Sequence, residues 1–416
     1  MKFSRRRFLA VSAAATRLRA TVIPLQARAQ AILPWLVEQR RDFHRHPELQ
    51  YDVYRTAGVV ADRLRSLGVE QIRTGVGKTG VTGVIRGAKP GPTIALRADM
   101  DALPIDESNY DVPYRSTKPG VKHACGHDAH TTMLLGAAEI LQSLRAELAG
   151  NVKLIFQPAE EGGRGAEAMI QDGALDNPKV EAIFGQHVWP GADTGHLEWC
   201  PGAFMASSDL FTITIRGKNA HGARPEDGVD SVVVAAQAVS ALQAIRSRRI
   251  ATAQPLVLTI GQIHGGTAPN IIAGEVSLTG TMRTLNSNVR DQVVTQMHQT
   301  LKGVTEAFGA SYDLTIRANS TITYNDPALT ARMVPVFQSL LGAANVRQIG
   351  PQMVAEDFSF YQKVVPGLFY FLGIRNETKK LGIYPLHTPE FDLDEDAMAY
   401  GVAAFVALAL NYSKTA

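Results

Sequence analysis

Residues 93–104 read Thr93-Ile94-Ala95-Leu96-Arg97-Ala98-Asp99-Met100-Asp101-Ala102-Leu103-Pro104. The first five positions are nearly continuous in apolar character, as in a strand covered on both faces of a parallel sheet. Two acids at i and i+2 follow at once. A solvated turn also places acids after a strand, but the arrangement recurs. Asn151 to Gln157 is a second apolar run, leading into Glu160, Glu161 and two glycines. Ala182 to Val188 is a third, with His187 near its end. A histidine there is either a satisfied core residue or a ligand.

Between the first two runs lies His123-Ala124-Cys125-Gly126-His127-Asp128. Cys125 and His127 are two apart, so both side chains can point to one side of an extended segment. Met133, Ala137, Ile140, Leu141, Leu144 and Leu148 then recur at three-or-four spacing and predict a helix. The cluster therefore opens a helix. It is either a start capped by Asp128 beside a buried cysteine, or a loop that carries chemistry. Alternating strands and helices imply a mostly parallel sheet, whose C-terminal strand ends share the edge where ligands bind. Asp99, Asp101, Cys125, His127, Glu160, Glu161 and His187 should converge there.

Outward from this centre, the N-terminal side predicts a helix over 32–45 that stops at His46-Pro47. His44 and His46 face apart on such a helix and read as structural. A helix over 56–67 ends at Gly68, and a strand follows at 80–85. Near residue 205 the pattern changes. Residues 207–216 alternate, with Phe211, Ile213 and Ile215 apolar. A helix over 230–246, strands at 255–263 and 274–283, a helix over 287–308 and a strand at 311–316 give βαββαβ, the ferredoxin-like order. The chain thus reads as an α/β catalytic domain (30–204 and 318–416) with an inserted α+β domain (205–317). The first pattern resumes with a helix over 328–341, a strand at 368–373, the His387 stretch and a closing helix over 394–410.

With 416 residues, 45% of them hydrophobic, the chain can build about two cores. The net charge of +3 is nearly balanced, and no basic-aromatic interleaving marks a nucleic-acid surface. No apolar run spans a membrane. Two cysteines allow at most one disulfide. Ser4-Arg5-Arg6-Arg7-Phe8-Leu9 resembles a twin-arginine export signal, and Ala27-Arg28-Ala29 offers a cleavage position. Residues 1–29 then form a signal and the protein is periplasmic. Arg17 and Arg19 interrupt the apolar part, and a silent signal would leave the protein in the cytoplasm.

Taken as ligands, Cys125, His127, Glu161, His187 and His387 supply a thiolate, a carboxylate and three imidazoles. That exceeds one tetrahedral zinc and suits two ions sharing a bridge. Thiolate and imidazole favour zinc, or manganese, cobalt or nickel, over magnesium and calcium. Glu160, beside Glu161, is left to act as a base.

Here the chain resembles the dinuclear-metal amidohydrolase family of aminoacylases and carboxypeptidases, in the branch of hippurate hydrolase and the auxin-conjugate (N-acyl-amino-acid) hydrolases. The likeness rests on Arg40 to Leu49, Arg97 to Pro104, His123 to Asp128, Gln157 to Gly163, Gly185 to Pro190, His221 to Pro225, Pro269-Asn270 and His387 to Phe391. Each is weak alone; their joint order is specific. The resemblance implies a zinc-exopeptidase-type catalytic domain and the five metal ligands above. Glu160 would be the general base, then acid. It implies a homodimer through the inserted domain, with His221 stabilising an oxyanion in the partner's site. Asn270 and Arg283 would hold the substrate carboxylate, and Asp99 and Asp101 would orient ligands. Read alone, His221 and Asn270 are equally turn residues, and Arg283 a strand-end charge. The implied substrate is an N-acyl amino acid or a short peptide. The competing readings are an amidase with Cys125 as nucleophile and a non-catalytic binding protein. The intact Glu160-Glu161 pair argues against the latter.

Overall fold

The computed structural model describes residues 25–108 and 110–414. The twin-arginine stretch lies outside them. Residues 25–31 are helical, and Leu25 and Ala29 are buried in the core. Cleavage after Ala29 would remove both side chains from that packing.

The chain forms two units. The larger begins with α1 (Leu33–Arg45), α2 (Tyr54–Ser66), β1 (Glu70–Val76), β2 (Gly80–Arg86) and β3 (Lys89–Asp99). Then come α3 (His127–Ser143), β4 (Ala149–Gln157), α4 (Gly165–Gln171), β5 (Ala182–Asp193) and β6 (Leu197–Trp199). The smaller unit contributes β7 (Ser207–Arg216), β8 (Ala220–His221), α5 (Ser231–Ala244), β9 (Leu256–Gly265), β10 (Ile271–Ile272), β11 (Glu275–Thr284), α6 (Ser287–Ala307) and β12 (Ser311–Ser320). The larger unit resumes with α7 (Pro327–Leu341), β13 (Val346–Gln348), β14 (Gly367–Arg375) and α8 (Ala397–Tyr412).

The large sheet has eight strands in the order β1-β2-β4-β3-β5-β14-β6-β13. Its centre is parallel: β3 with β4, β3 with β5, and β5 with β14. The flanks turn antiparallel at β1–β2, β2–β4 and β14–β6. Register makes the functional edge. Asp99 pairs with Gln157, and Arg97 pairs with Gly185, so His187 falls level with Asp99. The helix α3 is buried along nearly its whole length and packs on α1, α8 and β3. A helix apolar all round belongs inside a core, and α8 behaves likewise.

In the smaller unit the sheet order is β9-β11-β7-β12, every pairing antiparallel. The order follows from βαββαβ connectivity, with Phe211, Ile213, Leu278, Val293, Met297 and Leu301 in its core. Asp230 and Asn286 cap the two helices through side-chain acceptors. This unit comprises Ala203–Thr323 and Pro351–Ser359. It is wider than the 205–317 read from periodicity, because residues 351–359 carry no alternation. No helix among the described residues is long and apolar enough to cross a membrane.

Candidate metal centre

Gly126 stands between the two donors of the loop before α3. Its φ is +88°, and a Cβ there would lie 2.3 Å from Val188 Cγ2. Glycine alone meets both demands. The turn it allows places Cys125 Sγ 3.3 Å from His187 Nε2 and 3.3 Å from His387 Nε2. His387 Nε2 is 3.3 Å from Glu161 Oε1, which is 4.0 Å from His127 Nε2. Donor atoms of Cys125, His127 and His187 all lie within 4.8 Å of one another, as do those of Cys125, Glu161 and His387, and of His127, Glu160 and Glu161. Cys125 is common to the first two groups and Glu161 to the last two. The structure thus brings together the residues of the strand-end motifs and the distant His387.

The backbone around these donors is constrained. Ala159, just before the two glutamates, has φ +53°, and His387 has φ +62°. Both are non-glycine residues in the left-handed region, which persists only where surroundings impose it. The His387 N–H donates to the Ala124 carbonyl at 2.8 Å, and Lys122 Nζ donates to the Pro389 carbonyl at 2.6 Å. The His387 loop is therefore stitched to the residues just before Cys125.

Two buried carboxylates organise the rest. Asp101 accepts the N–H groups of Glu160 at 2.9 Å and Glu161 at 3.1 Å, and its Oδ1 is 3.6 Å from His127 Nδ1. It holds the glutamate turn and faces an imidazole. Asp99 accepts from Arg97 at 2.7 Å and lies 2.6 Å from His130 Nδ1. His130 Nε2 in turn accepts the Val188 N–H at 2.9 Å. His130 thus links the end of β3 to the backbone beside His187. Sequence reasoning passed over it, although its i,i+3 spacing from His127 put both on one face of α3.

The donor set fits a divalent cation. His187 Nδ1 meets the Val188 carbonyl at 2.7 Å, which assigns the proton to Nδ1 and turns the Nε2 lone pair towards Cys125. Burial, reinforced by His130, holds its pKa well below the usual imidazole range. His127 goes the other way: burial lowers its pKa, but Asp99, Asp101 and Glu161 outweigh it and raise it to about 10. Yet His127 Nε2 is buried with no hydrogen-bond partner among the described residues. Buried polar atoms need a partner, and thiolate, imidazole and carboxylate together form the donor chemistry of zinc-like ions. Cys125 and Cys200 form no disulfide.

Arg40 opens one of the stretches that carry the family likeness, but no spacing marks it as a site residue. It is wholly buried on α1, with Nε 2.8 Å from Asp128, Nη2 3.0 Å from Asp392 and Nη1 3.4 Å from Glu395. His44, read as structural, is 2.7 Å from Asp128 and 3.1 Å from Glu107. Lys122 pairs with Glu107 at 3.0 Å, and Tyr114 donates to Asp392 at 2.5 Å. Asp128 follows His127 directly, and Asp392 follows the His387 loop. This network therefore ties α1 to both donor-bearing segments.

The other expected residues lie in the smaller unit. His221, exposed, pairs with Ile271 across β8 and β10, and its Nδ1 accepts the Ala223 N–H at 3.0 Å. The Gly222 N–H donates to the Asn270 carbonyl at 2.8 Å, so the end of β8 at His221 faces the turn that carries Asn270 before β10. Arg283 is apart from them on β11 and donates to the Met353 carbonyl at 3.0 Å.

Residues 95–411 match peptidase family M20/M25/M40. Thermostable carboxypeptidase 2 of Saccharolobus solfataricus is 39% identical, over 94% of this chain and 98% of its own. IAA-amino acid hydrolase ILR1-like 2 of Arabidopsis thaliana is 37% identical, over 93% of this chain and 87% of its own. Among solved structures, a dinuclear metal binding peptidase of Bacillus subtilis is 32% identical with a TM-score of 0.80, covering 93% of this chain and 100% of that one.

Proposed function

The chain belongs to peptidase family M20/M25/M40 and hydrolyses amide bonds with the help of metal ions; on that premise we propose that it cleaves N-acyl amino acids to a carboxylic acid and a free amino acid. The observation that carries the mechanism is the Glu160-Glu161 turn, hung by two N–H bonds on Asp101 beside the Cys125, His127, His187 and His387 donors. Cys125, His127, Glu161, His187 and His387 would hold two divalent ions, zinc first and manganese, cobalt or nickel otherwise. Bound there, such ions supply Lewis acidity that polarises the scissile carbonyl and acidifies water.

The remaining work falls to the chain. Glu160 takes the proton of the attacking water and returns it to the leaving nitrogen, so one carboxylate serves as base and then acid. Asp99 and Asp101 fix the imidazole and the glutamate turn. His221 stabilises the developing oxyanion, and Asn270 and Arg283 bind the free carboxylate of the substrate. Partial burial lowers the Arg283 pKa, and a half-buried guanidinium gains from an anionic partner. A homodimer through the smaller unit and export by the N-terminal signal complete the proposal.

A carboxypeptidase acting on short peptides is the second reading, favoured by the likeness to thermostable carboxypeptidase 2. Both substrates share the amide and the free carboxylate. The test is a screen of N-acyl amino acids and dipeptides for amine release, with metal content measured on the same protein. Close to two ions per chain and faster turnover of N-acyl amino acids are expected. Full activity in a chelator would instead point to Cys125 as nucleophile. Replacing Glu160 by Gln should abolish turnover and leave metal content intact; surviving turnover would refute the assigned base.

A further inference from the structure

A cavity of about 520 Å³ lies on the larger unit away from the donor cluster, lined by residues of β1, β2, β4 and the 172–177 segment. Its floor follows from register: Arg73 pairs with Thr82 and Thr82 with Ile155, while Val84 pairs with Lys153. Lys153 precedes the strand-end Gln157 by four residues, about 13 Å along β4. The cavity therefore has its own walls and shares none of the donors described above.

Its two cations are unusual in what they bond. Lys153 is 3% exposed, and its ammonium donates to the Asp176 carbonyl. Arg73, exposed at the same cavity, donates to the Asp172 carbonyl at 2.9 Å and the Gly173 carbonyl at 3.4 Å. Both spend their bonds on neutral backbone oxygens. Neither makes an ion pair among the described residues. An ammonium on a buried side chain that bonds a neutral carbonyl is costly; the Asp176 charge offsets that in part, and an anion in the cavity would offset the rest. Burial, assisted by Arg73, pushes the Lys153 ammonium down to about 8, so it still carries its proton at neutral pH.

We propose that this cavity binds a small organic carboxylate, gripped by Lys153 Nζ and the Arg73 guanidinium. Three features select that class. The volume suits a small molecule. Ile72 and Val84 offer aliphatic wall for an apolar body. Asp172 and Asp176 also line the space, so two cations face two acids and a singly charged anion is favoured over doubly charged phosphate.

The test titrates the full-length metal-loaded protein with benzoate and, separately, inorganic phosphate, reading the thermal midpoint and calorimetric heat. The same titrations run on Lys153→Met, Arg73→Gln and His387→Ala. Benzoate should raise the midpoint saturably in the unaltered protein and in His387→Ala. Lys153→Met should weaken that response about 10-fold or more, and Arg73→Gln, exposed and safe for folding, should weaken it as well. A response lost in His387→Ala but kept in both cavity variants would overturn the proposal, placing benzoate at the donor cluster. Saturation by phosphate alone would overturn the carboxylate assignment, and no saturable response to either anion would overturn the site.

Discussion

Replacing Arg40 by Met keeps the aliphatic stem and removes the charge from a wholly buried site. Asp128 and Asp392, both nearly inaccessible, lose a guanidinium at 2.8 and 3.0 Å. Breaking a buried pair by removing one partner costs about 3–5 kcal/mol, because the surviving charge stays desolvated. The longer contact to the partly exposed Glu395 adds at most about 1 kcal/mol. The sum is a large share of the ~5–15 kcal/mol that holds a domain together. The pH dependence has a definite sign. Burial alone would raise the Asp128 pKa, but Arg40 and His44 outweigh it and hold the carboxyl well below its usual range. A depressed carboxyl stabilises the fold above its ordinary pKa and loses that stabilisation as pH falls. The Arg40→Met deficit should therefore be largest at pH 7 and shrink below pH ~4. Because Asp128 adjoins His127 and Asp392 follows the His387 loop, metal affinity should also drop 10- to 100-fold. Urea unfolding at pH 7 and about pH 3, below the ordinary carboxyl pKa, with chelator competition for bound metal, measures both. A loss under about 1 kcal/mol at pH 7, or an equal loss at both pH values, would refute the reasoning.

Gly126→Ala forces a side chain into left-handed backbone, at about 1–2 kcal/mol, and against Val188 Cγ2, at about 1–3 kcal/mol; adding Val188→Ala should restore the second part only, as read by thermal unfolding. Asp101→Asn turns an amide donor towards one of the two N–H groups of the Glu160-Glu161 turn, so kcat should fall 10-fold or more with little change in KM, checked by steady-state kinetics at matched metal content. Glu107 sits at about 2 because His44, the Ser116 N–H and Lys122 outweigh burial. The stabilisation it brings should be complete above pH ~4.5 and lost as pH falls towards 2, and Glu107→Gln should flatten the stability profile in that window.

What could be read from the residues was whatever repeats or clusters. The apolar run ending in Asp99 announced a central strand, and the spacing of Cys125 and His127 announced a site. Elements that break pattern did not show. β1 is an edge strand with almost every side chain exposed, so no alternation marks it. β5 runs on through Trp189-Pro190 to Asp193, past a proline that reads as a stop. Arg40 occupies the buried face of α1 with Leu33, Leu36 and Phe43, and in an apolar count it registers as a gap. His130 is invisible for a related reason: its role depends on Asp99 and Val188, which only tertiary structure brings to it. Residues of the smaller unit were legible as turns and strands, but their facing arrangement needed the β8–β10 pairing.

The order of strands also dictates a timetable for synthesis. β14 lies inside the large sheet, between β5 and β6, yet its residues come after the whole of β7–β12. While the ribosome makes those intervening strands, β5 presents an unpaired apolar edge, the kind that invites aggregation. At roughly 5–20 residues per second the wait is on the order of ten to forty seconds. The smaller unit can organise most of its sheet during this interval, whereas the last histidine of the donor cluster has not yet been translated. Nascent chains truncated between β12 and β14 should therefore depend on chaperones, a dependence that ends once residue 375 has emerged.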